Sequence, residues 1–351
     1  MLAEELAPMP TLKDVAFTAR VSAATASRVL TGSPHVSESA RERVHQAIRQ
    51  LNYRPDQVAR SLRRRRTNVI ALIVSTIENV FFTEVARAAE KAADDQAYNL
   101  IVCNTDENPE RELSYLTILN AQLIAGVILA PAPGNAPHLE SLLKGKLPMV
   151  LINRRPEHVH CTSIVSDDEE AAFKCVGQLI SEGRKRIGAI TGLAGISTTQ
   201  ERLNGYRRAL ATAGLPLDPT LEVAGHAHTE GGYRATYELM RRPDPADALF
   251  AFNNPMTQGA VLALQDMGLR WPDQVDVSGF GAFENARLYR PPLLLVAQPT
   301  YEMGRRAVEL LLDQVEGRSN GEPQSITLQN QLRPRDSWLQ LEGDWTRTSS
   351  Y

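Results

Sequence analysis

The chain has 351 residues, 43% of them hydrophobic and 23% charged, enough for two or three domains with sizeable cores. This composition excludes collagen, a coiled coil and a disordered chain. The formal net charge of −3 hides an asymmetry, because residues 1–66 carry 12 basic and 6 acidic side chains and the rest carry 26 and 35. A basic head on an acidic body indicates contact with nucleic acid.

Membrane insertion and secretion are both excluded by the apolar patterning. No apolar run approaches the ~20 residues that cross a bilayer, and the first ten residues carry two acids and no base, unlike a signal peptide. We therefore expect a cytoplasmic protein. Its three cysteines, Cys103, Cys161 and Cys175, lack the spacing of metal ligands, so we expect reduced thiols, no metal and no cofactor.

The first 50 residues predict three short helices. The first has apolar residues at i, i+3, i+4 and i+7, namely Leu12, Val15, Ala16 and Ala19. Thr11 and Asp14 form a capping pair before it, and Ser22 and Ser37 are N-caps for the second and third helices. The first two are joined by only three residues, which predicts a helix-turn-helix.

The second helix carries the candidate contacts to DNA. Its first turns hold small or hydrogen-bonding side chains, namely Ala23, Ala24, Thr25, Ser27 and Arg28. Such side chains let a helix approach base edges in the major groove, where Arg28 can pair with guanine through two hydrogen bonds. On these residues alone, a three-helix packing module without DNA remains an alternative.

A short basic segment follows the three helices. Residues 57–62 predict a helix of six residues, too short to hold in water without a partner. Its exposed apolar side chain, Leu62, suggests a wedge into a minor-groove step of DNA. The arginines at 63–66 either contact DNA with this segment or form a solvated linker, and the sequence supports both interpretations equally.

The remainder alternates short β-branched runs with amphipathic helical stretches. The predicted strands are 69–75, 99–104, 127–130, 149–152, 163–165, 186–191, 221–223, 248–252, 276–280 and 293–296. Helical patterns lie between most of them, for example 82–96, 169–181, 199–213, 231–241, 256–267 and 301–316. This alternation predicts two doubly wound parallel sheets, with ligands in the crevice at the carboxyl ends of the strands.

These segments resemble the lactose/galactose repressor (LacI/GalR) family. The matching pieces of the head are 11–16 (TLKDVA), 21–30 (VSAATASRVL), 32–37 (GSPHVS), 53–55 (YRP) and 59–62 (ARSL). The likeness continues through 79–82 (NVFF), 126–129 (GVIL), 183–188 (GRKRIG), 202–206 (RLNGY), 253–256 (NNPM) and 333–337 (RPRDS). It therefore covers residues 11–337.

The resemblance implies an all-α helix-turn-helix DNA-binding head and an α/β body like a periplasmic sugar-binding protein, with two doubly wound parallel-sheet subdomains. The domains would be the head (11–55), a hinge helix and linker (56–66), an effector-binding and dimerisation domain (67–337) and a tail (338–351). The chain would cross between subdomains near residues 165, 297 and 328. Subdomain N would then take 67–165 and 298–327, and subdomain C 166–297 and 328–337.

By the same resemblance, the protein is a homodimer that reads a near-palindromic operator in double-stranded DNA. The implied DNA-binding residues are Thr11, Ser22, Ala23, Ala24, Thr25, Ser27, Arg28, His35, Tyr53, Ala59 and Leu62. One departure lies in the turn after the first helix, where the family usually has glycine and this chain has Arg20. If the backbone there is left-handed, arginine costs about 1 kcal/mol.

The implied effector-binding residues are Phe81, Phe82, Asn153, Arg202, Asn253 and Gln298. The alternatives are core packing for the two phenylalanines, a turn role for Asn153 and a surface ion pair for Arg202. A second departure is Gly281, where many members have an aspartate. Because Arg202 is kept and that acid is lost, we expect a positive cleft and an anionic effector, such as a sugar acid or sugar phosphate. His226 and His228 either add to this charge or lie in an ordinary solvated loop.

The predicted function is that of a sequence-specific repressor of carbohydrate-use genes, controlled by a small sugar-like effector in the cleft. The alternative is a regulator of the same type controlled by a protein partner or a non-sugar metabolite. An enzyme is not expected, because the nearest candidate for a phosphate loop, residues 191–195 (TGLAG), lacks both the Gly-x-Gly-x-x-Gly spacing and the P-loop lysine.

Overall fold

The computed structural model describes residues 10–30, 33, 35–53, 67–121, 124–134, 139, 147–156, 158–281, 286 and 288–338. The chain divides into two compact units, Met1–Thr67 and Asn68–Tyr351. The predicted hinge helix, with Ala59 and Leu62, lies outside the described residues, as does nearly all of the predicted tail. No helix in the described part of the chain is long and apolar enough to cross a membrane.

The first unit contains the three predicted helices, α1 (Leu12–Thr18), α2 (Ala23–Leu30) and α3 (Glu38–Gln50). All three predicted caps are confirmed. Thr11 and Asp14 form a reciprocal capping box, Ser22 Oγ accepts from the Thr25 amide at 3.1 Å, and Ser37 Oγ accepts from the Ala40 amide at 3.4 Å. The buried core of the unit consists of Val15, Ala16, Ala19, Ala26, Val29, Val44 and Ala47.

The turn between α1 and α2 has the left-handed backbone that favours glycine. Arg20 has φ +53° and an exposed side chain. Its amide donates to the Phe17 carbonyl at 3.1 Å, and the next amide, that of Val21, donates to Ala16 at 3.0 Å. The turn is therefore hydrogen-bonded although arginine stands there, at a conformational cost of about 1 kcal/mol.

The second unit contains two six-stranded sheets. The strands are β1 (Val69–Val74), β2 (Asn99–Asn104), β3 (Gly126–Leu129), β4 (Met149–Ile152), β5 (Ser163–Ser166), β6 (Ile187–Thr191), β7 (Glu222–Ala224), β8 (Ala248–Ala251), β9 (Asp276–Phe280), β10 (Leu294–Ala297), β11 (Ser325–Leu328) and β12 (Gln331–Arg333). Their order is β11-β5-β4-β3-β1-β2 in one sheet and β12-β10-β9-β8-β6-β7 in the other. All pairings are parallel except β10 with β12, so the predicted fold is confirmed.

Helices cover these sheets. They are α4 (Val80–Asp94), α5 (Pro109–Ala121), α6 (Asp168–Ser181), α7 (Ser197–Thr212), α8 (Thr229–Met240), α9 (Asn254–Asp266) and α10 (Thr300–Val315), with short 3₁₀ turns at Pro219–Leu221 and Arg335–Trp338. Strands β1, β3, β4 and β5 are almost fully buried, as expected of parallel strands covered on both faces.

The chain passes between the two sheets three times, after β5, after β10 and after β11. The crossing points suggested by the resemblance, near residues 165, 297 and 328, fall at the ends of these strands. Two helices that matter for the site, α6 and α7, pack closely at Gly205, where a Cβ atom would lie 2.2 Å from the Glu169 carbonyl oxygen. Glycine is therefore required at this contact.

Candidate functional site

Helix α2 presents small side chains outward, as a DNA-reading helix requires. Ser22, Ala23, Ala24 and Arg28 are exposed, Thr25 and Ser27 are half-buried, and Ala26 and Val29 pack into the core of the unit. The helix thus separates a packing face from a solvent face that a major groove can accommodate.

The other predicted contacts in the head occupy different positions. Thr11 is exposed, but its hydroxyl already donates to Asp14 Oδ2 at 2.7 Å. His35 is exposed, whereas Tyr53 is half-buried against the helical core.

Within the second unit, one small cavity borders all six residues predicted to bind an effector. Its volume is about 50 Å³, room for a few water molecules, and it is lined from both subdomains. The predicted residues on its wall are Phe81, Phe82, Asn153, Arg202, Asn253 and Gln298. The sheet topology explains why three of these residues meet at the cavity. Asn153, Asn253 and Gln298 follow the carboxyl ends of β4, β8 and β10, respectively.

Two amide side chains on this wall have unsatisfied hydrogen-bonding atoms. Asn153 is 7% exposed, with φ +63°, and its Oδ1 has no hydrogen-bond partner among the described residues. The buried Nε2 of Gln298 likewise has no hydrogen-bond partner among the described residues. A buried polar atom left unpaired costs ~1–3 kcal/mol, so one acceptor and one donor are available to a ligand.

The aromatic pair packs in the hydrophobic core and also borders the cavity. Phe81 and Phe82 are 5% and 3% exposed, belong to the core of the first subdomain and meet edge to face at 4.9 Å between ring centroids. Asn79 caps α4 by accepting from the Phe81 amide at 3.1 Å, which fixes the pair at the cavity edge. The helix cap and the core packing therefore hold both rings at the cavity wall.

Asn253 has a structural role in addition to its position on the cavity wall. Its Oδ1 accepts from the Met256 amide at 2.9 Å and caps α9, and its Nδ2 donates to the Ala227 carbonyl at 3.1 Å. Both ends of the amide are thus engaged within the protein.

Arg202 forms an ion pair, but a buried one rather than the surface pair considered as the alternative. Its side chain is 7% exposed and that of Asp168 is 1% exposed, with Nη2 2.6 Å and Nε 2.8 Å from Asp168 Oδ2. Its Nη1 donates to the Phe252 carbonyl, and its guanidinium carbon lies 3.9 Å from the centre of the Phe280 ring.

Sequence analysis missed Asp168. The signal was present, because an acidic residue stands just beyond the carboxyl end of a predicted strand, where cleft residues are expected.

The expected positive charge of the cleft is wrong. The second arginine on the wall, Arg154, donates to both carboxylate oxygens of Glu107 at 2.6 and 2.7 Å, and both side chains are largely buried. Among the described residues that line the cavity, Arg154 and Arg202 are the charged ones, and each is matched by a carboxylate. The cavity wall is therefore polar and close to neutral.

A second cavity, of about 720 Å³, adjoins the first and shares four residues with it, Gly192, Leu193, Ile196 and Thr199. His226 lies on its wall, while His228 is an exposed residue just before α8. Near this region the pKa of Glu201 is raised to about 7, mainly by burial and to a smaller extent by the neighbouring Asp168. Arg155, whose Nη2 lies 4.0 Å from Glu201 Oε1, opposes the shift.

Comparison with known proteins agrees with both parts of the fold. Residues 11–56 match the family model "Bacterial regulatory proteins, lacI family", and residues 67–333 match "Periplasmic binding proteins and sugar binding domain of LacI family". The chain is 34% identical over 307 residues to catabolite control protein A of Priestia megaterium, covering 86% of this chain and 91% of the relative.

It is also 33% identical over 308 residues to the HTH-type transcriptional repressor PurR of Aliivibrio salmonicida (strain LFI1238), covering 88% of this chain and 92% of that one. A solved structure of the transcriptional regulator CelR with cellobiose superposes with a TM-score of 0.70 at 31% identity and covers 93% of this chain and 99% of that chain. These relatives are regulators rather than enzymes. Together, the two family models and the relatives show that the chain belongs to the LacI family of bacterial transcriptional regulators.

Proposed function

We propose that this protein represses carbohydrate-use genes and that a small sugar-like effector in the 50 Å³ cavity controls it. The observation that carries the proposal is a pair of buried amide atoms, Asn153 Oδ1 and Gln298 Nε2, that find no partner in the described part of the chain and lie on a wall that also holds Phe81 and Phe82. Sugar hydroxyls donate and accept hydrogen bonds at once, and the C–H face of a sugar ring packs on aromatic side chains. The cavity therefore offers what a sugar ring needs.

The proposed effector is uncharged. The two arginines on the wall are both neutralised within the protein, so an acidic or phosphorylated sugar gains little from them. The related regulator CelR was solved with cellobiose, a neutral sugar, which supports the same class of ligand here. Because the cavity holds only a few water molecules, entry of a sugar requires the two subdomains to move apart.

The proposed active species is a homodimer. Strand β2 lies at the edge of its sheet, and its Ile101 and Val102 side chains are 39% and 46% exposed. Leu113 and Ile118 of α5, the next helix in the chain, are 43% and 49% exposed. Exposed apolar groups on one edge strand and its helix favour burial against a second copy, which would present two α2 helices to a near-palindromic operator.

The test is a thermal-shift screen of the full chain against neutral sugars, sugar acids and sugar phosphates, followed by fluorescence anisotropy on operator DNA selected from a random pool. We expect a neutral sugar to raise the melting temperature and to change operator affinity, and Gln298→Leu to abolish both effects. Gln265→Leu, at an exposed position of α9 that borders neither cavity, is the matched control and should behave as wild type. A response only to a non-sugar metabolite or a protein partner would refute the sugar assignment.

A further inference from the structure

Asp168 is one of the two carboxylates that neutralise the arginines on the cavity wall, and it neutralises Arg202. This residue begins α6, just after the chain leaves β5, and it is 1% exposed. Its Oδ2 accepts two hydrogen bonds from Arg202, from Nε at 2.8 Å and from Nη2 at 2.6 Å. The positive charge of Arg202 is therefore matched within the protein before any ligand arrives.

Two crossover segments hold the other oxygen of this carboxylate. Ser166 Oγ, at the end of β5, donates to Asp168 Oδ1 at 2.7 Å, and Asn330 Nδ2, between β11 and β12, donates to it at 2.9 Å. With four donors on its two oxygens, the carboxylate has a single position. It cannot swing away to let an anion replace it on Arg202.

Arg202 nevertheless keeps hydrogen-bonding capacity toward the cavity. A guanidinium has five N–H groups, and three are used by Asp168 and the Phe252 carbonyl. The remaining two suit hydroxyl oxygens. An anionic ligand at the same place would bring a second negative charge beside Asp168, in a poorly hydrated site where like charges repel strongly.

We infer that Asp168 is the specificity-determining residue of this cavity. By cancelling the charge of Arg202, it makes the cavity accept uncharged polyhydroxy ligands and exclude anions. The inference rests on the proposed function only in taking this cavity as the effector site. It predicts that removal of one negative charge at residue 168 converts the cavity into an anion site.

The experiment is isothermal titration calorimetry of the full chain with inorganic phosphate, in chloride buffer at constant ionic strength. We expect wild type to bind phosphate weakly, with a Kd above about 10 mM, as solvated surface charges do. Asp168→Asn should bind phosphate at least tenfold more tightly. The matched control is Glu169→Gln, which removes the next carboxylate on α6, an exposed one paired with Arg208. It should behave as wild type.

Two further variants separate a charge effect from a structural one. In the double variant Asp168→Asn/Arg202→Gln the guanidinium is gone, so the gained phosphate affinity should disappear. If Asp168→Asn does not fold, Asp168→Ser, which retains a hydroxyl for Ser166 and Asn330, is judged by the same criterion. The inference would be overturned if neither Asp168→Asn nor Asp168→Ser gained phosphate affinity, or if wild type bound phosphate tightly.

These outcomes are independent of the natural effector. The phosphate titrations require neither a sugar nor DNA, so they decide the role of Asp168 even if the sugar screen finds nothing. Conversely, a sugar that changes operator affinity supports the proposed function whether or not Asp168→Asn gains an anion site.

Discussion

Replacing Arg202 by glutamine removes one half of a buried ion pair and leaves the Asp168 carboxylate without its cation. Side-chain exposures of 7% and 1% mean that water cannot replace the lost partner. Breaking such a pair costs ~3–5 kcal/mol, mainly from the buried charge left behind. We therefore expect Arg202→Gln and Asp168→Asn each to lower the free energy of unfolding by about 3 kcal/mol. The double variant carries no uncompensated charge and should lose clearly less than the sum.

The assay is thermal unfolding of the wild type, both single variants and the double variant, followed by circular dichroism. For a unit of this size each kcal/mol shifts the melting temperature by roughly 2 °C, so each single variant should melt about 6 °C lower. The coupling energy of the cycle should approach 3 kcal/mol, the upper end of the usual range. Arg208→Gln, on the same helix as Arg202, breaks two surface pairs, with Glu169 and Glu170; it is the control and should cost about 1 kcal/mol or less. Additivity of the two single variants would refute the assignment of a buried pair.

Three further predictions concern pH, packing and salt. Because burial raises the pKa of Glu201 to about 7 in the folded chain, the contribution of this residue to stability is lost as pH rises from about 4.5 through 7. Glu201→Gln should then exceed wild type by up to ~3 kcal/mol at pH 8 and match it near pH 4, and equal melting temperatures at pH 8 would contradict this. Gly205→Ala should lower the melting temperature by several degrees, because the new Cβ would meet the Glu169 carbonyl at 2.2 Å, whereas Gly177→Ala, which meets no described atom within 4 Å, should be neutral or stabilising. Operator affinity, measured by anisotropy, should fall steeply between 50 and 200 mM salt as several phosphates are neutralised, and a flat dependence would contradict DNA binding by the head.

Hydrophobic periodicity in the sequence was sufficient to predict the helices and strands that bury one or both faces. The ten strands predicted from apolar runs are present, with ends that match or differ by one residue, because Val, Ile and Leu clusters mark buried parallel strands. Strands β11 and β12 were not predicted. They are short and half-exposed, and β11 exists because it pairs with β5, about 160 residues away in the chain. Local pattern carries no information about such a pairing.

The candidate site, too, was predictable from the sequence only in part. The resemblance brought together residues that come from separate strand ends and from the starts of α4 and α7, and the cavity borders all of them. The ion pair between Asp168 and Arg202 could not be read from spacing, because it depends on the close packing of α6 on α7 at Gly205. Whether an arginine in a cleft is available to a ligand is a property of its neighbours in space.

The absence of an aspartate at residue 281 takes on a different meaning in this context. Gly281 has φ +102°, and a Cβ there would lie 1.3 Å from Asn254 Oδ1, so Asn254 fills the space that a side chain at residue 281 would need. A buried acid nevertheless lies beside the cleft, because Asp168 from a different element pairs with Arg202 on the wall. A single missing carboxylate therefore does not establish the charge of a binding site. The charge follows from the sum of the buried groups, and among the described residues that sum supports the proposal of an uncharged ligand.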